Sequence, residues 1–210
     1  SMRIVKEDTM TQTRKSPAYL LAFIGVMAAA AFVSNYLMIP VGTSRVHLGN
    51  SIALLSGMLF GGPLGALAAG LGSALFDMVY GFADPVAGGA IPPIMEAVIT
   101  FINKGLMALA CGVIVNDLGN RAHRSIIVYA GAIAGALLYV ALFIIKTNLY
   151  SLAFTPELLK VAVPARAASS LVNAGLAVLI APLLYAMLRP ALKAAGLYEH
   201  ISPSVLHWPE

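Results

Sequence analysis

Long apolar runs alternate with short polar or glycine- and proline-rich breaks along most of the chain. The first run covers residues 17–39. Pro17 suits a first helical turn, where its missing N–H is not needed, and Pro40 and Gly42 end the run. A short polar loop, 42–47, follows. The second run is short, residues 48–60, and stops at Gly61-Gly62-Pro63, a turn signal. The third, 64–80, is crowded with glycine, alanine and serine, which let helices approach closely in lipid. A Gly/Pro-rich loop over 81–93 precedes runs at 94–115, 125–145 and 164–188. A polar turn at 116–124 and a longer loop at 146–163 separate them.

A membrane helix needs about 20 mainly apolar residues, so the chain between its polar ends has room for about five to seven spans. The pattern predicts an all-α integral membrane protein with six transmembrane helices. Residues 1–16 read as a polar N-terminal tail, 17–190 as the six-helix membrane domain and 191–210 as a C-terminal tail.

Composition agrees. The chain is 60% hydrophobic and 10% charged, with a mean hydropathy of +0.87. Soluble domains are about 25% charged, and disordered chains are poor in apolar residues. Both classes are excluded, and no length is left for a soluble catalytic domain. The net charge of +4 reads as lysine and arginine gathered on the cytoplasmic side, not as a nucleic-acid surface. With six spans, Arg3, Lys6, Arg14, Lys15, Arg121, Arg124, Arg189 and Lys193 share the side of the termini. Arg45, Lys146, Lys160 and Arg166 fall on the other. That imbalance places both termini in the cytoplasm. The loops at 42–47, 81–93 and 146–163 then face outward. Cys111 is the single cysteine, so no internal disulfide forms.

Enzyme chemistry finds no footing. There is no Gly-Lys pair for a P-loop and no His-Glu-x-x-His for a metal, so no cofactor or metal is expected. His47, His123, His200 and His207 fall in predicted loops or the tail, which leaves Ser73 without a buried base and reading as a packing residue. Asp77 and Glu96 lie near span ends and not at mid-membrane, where an ion-coupled carrier keeps its acids. A self-sufficient secondary carrier or small channel stands as the alternative function.

Polar residues instead collect at one face. Arg45, His47, Asn50, Asp77, Tyr80, Asp84, Glu96, Lys146, Asn148, Tyr150 and Arg166 map near the outer side, with Asn103, Lys104 and Asn173 deeper. Singly, each reads as an interfacial anchor or a snorkelling side chain. For Asn50, Glu96 and Asn103 that reading is weaker, because an unpaired polar group inside a span is costly. Together they fit a site for a small organic ligand. Gly25, Ala28, Ala29 and Ala31 make a smooth stripe on the first span, suited either to packing within the bundle or to docking against another membrane protein.

Three stretches carry a family likeness: His47-Leu48-Gly49-Asn50-Ser51, the small-residue block from Gly57 through Gly61-Gly62-Pro63 to Asp77, and Phe101-Ile102-Asn103-Lys104-Gly105-Leu106-Met107-Ala108. In these the chain resembles the substrate-binding S components of energy-coupling factor (ECF) vitamin transporters. The likeness is good over 17–115 and looser from Pro164 to Pro182. It implies high-affinity capture of a water-soluble vitamin or related heterocycle from outside. It also implies a membrane coupling (T) subunit and two ATPase subunits as partners, which fits the missing P-loop. The first-helix stripe of Gly25, Ala28, Ala29 and Ala31 would contact the coupling subunit, and residues 42–47 would gate the site. Asn103 and Lys104 are the ligand contacts the motif itself carries over. Few aromatics and mixed charges point to a small polar heterocycle. Hydroxymethylpyrimidine, pyridoxine, riboflavin and queuosine precursors all stay open.

Overall fold

A computed structural model describes residues 17–41, 44–83, 92–116, 124–150 and 156–201. Helix α1 spans Pro17–Tyr36. Strands β1 (Met38–Val41) and β2 (Ser44–His47) form an antiparallel hairpin in which Met38 faces His47 and Pro40 faces Arg45. Then come α2 (Gly49–Phe60), α3 (Gly62–Ala83), α4 (Pro93–Asn116), α5 (Arg124–Tyr150), α6 (Pro156–Ala194) and the short α7 (Tyr198–Ile201).

Five of these helices are long and apolar enough to cross a membrane. The exception is α2, whose 12 residues reach only about 18 Å at 1.5 Å per residue. It does not need to face lipid. All of its residues except Ile52 are buried, and α1, α3, α4, α5 and α6 pack around it. An all-round apolar helix is a core helix, and α2 is the axis of the bundle. It ends at Gly61, whose φ of 77° lies in the left-handed region open to glycine. Its last carbonyls sit away from water, and the Asn116 side-chain amide at the end of α4 donates to Gly57 O (3.3 Å) and Met58 O (3.4 Å).

Small residues set the helix spacing. A Cβ on Gly57 would fall 2.2 Å from the Ala108 carbonyl oxygen, and one on Gly72 would fall 2.1 Å from that of Ala28. On α4, Ala97, Thr100, Lys104, Met107, Cys111 and Val115 are buried at helical spacing, while Met95, Val98, Ile102 and Leu106 form the exposed apolar stripe. Apolar residues lie on both sides, so what separates the faces is where the few polar groups go.

The structure departs from the sequence reading at four places. The all-α class holds, and the local departure is the hairpin: residues 38–41, counted with the first span or its stop, pair with 44–47, expected as a loop. The α-helix stops at Tyr36, ahead of Pro40, which biases Ile39 toward the extended backbone of β1 and has no N–H to continue a helical ladder. Helix α5 continues past Ile145 to Tyr150, into the expected loop. Helix α6 starts at Pro156 and carries Pro164, Pro182 and Pro190 internally, so it runs past Leu188 into the expected tail. Each proline removes one ladder bond, which membrane helices tolerate where neighbours re-satisfy the backbone.

Candidate ligand-binding site

The hairpin lies over the end of the bundle where α2 and α4 begin and α3 and α5 finish. Asn173 on α6 ties it down, accepting from His47 N–H (2.8 Å) and donating to the Arg45 carbonyl (2.9 Å). Arg45 reaches α3: its guanidinium pairs with Asp77 Oδ1 at 2.9 Å and rests over the rings of Phe76 (4.6 Å) and Tyr80 (4.9 Å). Phe76 is fully buried and packs edge-on against Tyr36 of α1, with centroids 4.7 Å apart. The hairpin is thus fastened to α3 by a charge and an aromatic platform, and to α6 by an amide.

Behind Asp77 the network continues. Thr100 on α4 donates its hydroxyl proton to Asp77 Oδ2 and accepts from Lys146 Nζ of α5 at 3.2 Å. Lys146 also pairs with Glu96. Residues 96, 100 and 104 are four apart, one face of α4. At 104 stands Lys104, 2% exposed, donating to Asn50 Oδ1 and lying 4.3 Å over the Tyr139 ring of α5. A lysine this deep without a carboxylate contact is costly, and such residues mark function in membrane proteins. Asn50 is fully buried, and its Nδ2 has no acceptor among the described residues. The hydroxyls of Ser51 and Ser170 are also buried without partners.

His47 closes the floor of the hairpin. Its Nδ1 accepts from Gly49 N–H at 3.1 Å, so that nitrogen carries no proton and the ring is neutral. Burial, then the nearby Lys104 and Arg45 charges, hold its pKa well below the usual histidine value.

Of the residues expected at the site, the structure joins Arg45, His47, Asn50, Asp77, Tyr80, Glu96, Lys104, Lys146 and Asn173 at one end of the bundle through the contacts above. Asn103 is buried one position round α4 from the Thr100–Lys104 face. Arg166 is half-buried near the start of α6, with Ser169 donating to its carbonyl at 3.0 Å. Asp84 lies outside the described residues, as do the side chains of Asn148 and Tyr150. Thr100, Phe76 and Asn35 were missed. The four-residue spacing from Glu96 to Lys104 pointed at Thr100. Phe76 and Asn35 carry no sequence signal beyond their span, although Asn35 is buried against Gly49.

The first-helix stripe divides. Ala28 and Ala31 face inward against Gly72, and Gly25 and Ala29 are exposed beside Val26 and Val33.

The structure is thus an apolar multi-helix bundle with a network of paired polar side chains beneath a hairpin at one end. A family model described as ECF-type riboflavin transporter, S component, matches residues 16–190. The chain belongs to this family of ECF transporter S components, which are transport proteins of the membrane and not enzymes. A comparison with curated proteins finds no match.

Proposed function

We propose that the chain binds riboflavin at the hairpin end with high affinity and delivers it through partner subunits that hydrolyse ATP. The observation that carries this reading is Asn50: a fully buried amide with a free Nδ2, held beside Lys104 and under the hairpin. A buried donor without an acceptor costs about 1–3 kcal/mol, and a ligand carbonyl removes that cost. The pyrimidinedione edge of a flavin presents two carbonyl acceptors, and Asn50 Nδ2 and Lys104 Nζ are two donors. Tyr139 offers an aromatic face beside them. The ribityl hydroxyls suit Glu96, Lys146, Asp77 and Arg45. The family match to riboflavin S components supports the same ligand.

In this reading α2 completes the sixth membrane segment, both termini are cytoplasmic, and the hairpin faces outward. The exposed part of the α1 stripe, Gly25 and Ala29, meets the coupling subunit.

Titration of purified protein with riboflavin, followed by quenching of flavin fluorescence, tests the ligand. Saturable quenching at one flavin per chain is expected, with no competition from pyridoxine or hydroxymethylpyrimidine. Absence of quenching, with another vitamin raising the melting temperature, overturns it.

A further inference from the structure

The opposite end of the bundle holds a second polar cluster that ligand capture does not use. Arg124 opens α5, and Arg189 and Lys193 lie one turn apart near the end of α6. Tyr185 precedes Arg189 by a turn, and Tyr198 is on α7. The chain reverses between α6 and α7 at Gly196, φ 68°. Leu197 N–H bonds to Leu192 O at 2.9 Å and Gly196 N–H to Lys193 O at 3.0 Å, a glycine-terminated helix end. That turn folds Tyr198 back until it is 7% exposed and Ile201 until it is fully buried.

Arg124 donates to the Tyr185 hydroxyl, and Arg189 Nε donates to the Tyr198 hydroxyl at 3.4 Å. The Arg189 guanidinium lies 5.4 Å from the Tyr198 ring centre and Lys193 Nζ lies 5.5 Å from it. Arg124, Arg189 and Lys193 have no carboxylate partner among the described residues. The Arg124 Nε is buried with no acceptor. Arg124 and Arg189 share the Tyr185 ring, and Arg189 and Lys193 share the Tyr198 ring, so among the described residues phenols are what receives the three cations.

Arg124 is the first residue of one candidate span, Arg124–Thr147, and Arg189 and Lys193 lie in the last two turns of another, Val163–Ala194. Basic residues and tyrosines at span ends sit within reach of lipid headgroups. Beside them, Leu183 (59% exposed), Met187 (71%) and Leu188 (39%) make an apolar strip on α6. We propose that Arg124, Arg189 and Lys193, framed by Tyr185 and Tyr198, hold the phosphate of an anionic phospholipid whose acyl chains lie along this strip. Guanidinium groups match phosphate oxygens in a fork, and Lys193, exposed at the rim, adds a point charge. The strip runs straight from the cluster, so a phospholipid whose acyl chains lie along it brings its phosphate to the three basic residues.

Native mass spectrometry of delipidated protein with phosphatidylglycerol or phosphatidylcholine tests this. Phosphatidylglycerol should bind preferentially. The R189Q/K193Q double variant should bind it about 30-fold more weakly, since each basic residue at an anionic surface contributes about a factor of five. K193Q alone, at an exposed position, should lose about fivefold and guards against a misfolded double variant. Both should leave phosphatidylcholine binding and the hairpin end unchanged. Equal binding of the two lipids by the wild type overturns the proposal. So does displacement of phosphatidylglycerol by equimolar inorganic phosphate, which would make the site one for a soluble anion. If both variants keep the lipid but lose uptake with the coupling subunits, the cluster is a protein contact and the proposal fails.

Discussion

At the hairpin end Arg45 rests on Asp77, Lys146 on Glu96 and Thr100, and Lys104 on Asn50. At the opposite end Arg124, Arg189 and Lys193 rest on Tyr185 and Tyr198. The first set is threaded between helices, where each charge needs an acceptor inside the protein because none is available from lipid. The second lies at span boundaries, where tyrosines and basic residues are at home and solvent or headgroups supply the counter-charge. One end therefore pairs its charges within the protein residue by residue, and the other leaves its charges open to partners from outside the bundle. Lys104 breaks the rule at the hairpin end. It has a neutral amide where its neighbours have carboxylates, and that amide has a spare donor.

The sharpest test of this contrast is Lys104→Met. If the lysine is held for a ligand, binding should fall by about a hundredfold or more, the ~3 kcal/mol of a hydrogen bond to a charged group. The melting temperature of the ligand-free protein should hold or rise, because a buried cation has been replaced by an apolar side chain. Unchanged binding with a lower melting temperature would make Lys104 a packing element.

Asp77→Asn tests the fastening of the hairpin. It leaves Arg45 without its ion pair and weakens the acceptor for Thr100. With the Arg45 side chain 25% exposed, water softens the loss to about 2 kcal/mol, at or below the low end for a broken buried pair. The loss should appear as faster ligand release and faster hydrogen exchange in β1 and β2. Exchange confined to the opposite end would contradict the fastening.

Much of this contrast was legible in the chain. The apolar runs placed the five long helices and the short α2, and the mapping of polar residues along the runs grouped most of those that the structure joins at the hairpin end. The split of the first-helix stripe was not legible. Gly25, Ala28, Ala29 and Ala31 look alike in sequence, and only the backbone approach of Gly72 to Ala28 shows which way the helix is turned. The hairpin was hidden because Met38-Ile39-Pro40-Val41 is as apolar as the helix before it. The continuation of α6 through Pro190 was hidden because proline ends a helix in water more surely than in a packed membrane bundle. The role of α2 depended on burial on all sides, which an apolar run does not reveal by itself.

The split stripe makes a paired prediction. Ala28→Leu drives a side chain into the α1–α3 seam and should cost about 1.5 kcal/mol of stability. Ala29→Leu adds bulk to an exposed face, so it should leave the melting temperature and ligand binding alone and reduce uptake once coupling subunits are present. Equal destabilisation by both would place Ala29 inside the bundle as well.

The smallest expected effect concerns protons. His47 is neutral and buried, and its pKa is depressed first by burial and then by Lys104 and Arg45. Above its unfolded value of about 6.5 the ring is neutral in folded and unfolded chains alike, and pH does not act through it. As pH falls below that value the unfolded chain takes up a proton that the folded chain refuses, so stability is lost. Between pH 7 and 5.5 the loss should be about 1 kcal/mol. Protonation would also put a hydrogen on Nδ1, breaking the bond from Gly49 N–H that starts α2 beneath the hairpin. The weakening should therefore register at the hairpin end, as faster exchange there in mild acid. His47→Asn keeps an acceptor near the position of Nδ1 but cannot titrate, so it should flatten this part of the melting-temperature profile. A variant that loses stability in acid as steeply as the wild type would move the acid-sensitive group elsewhere in the fold.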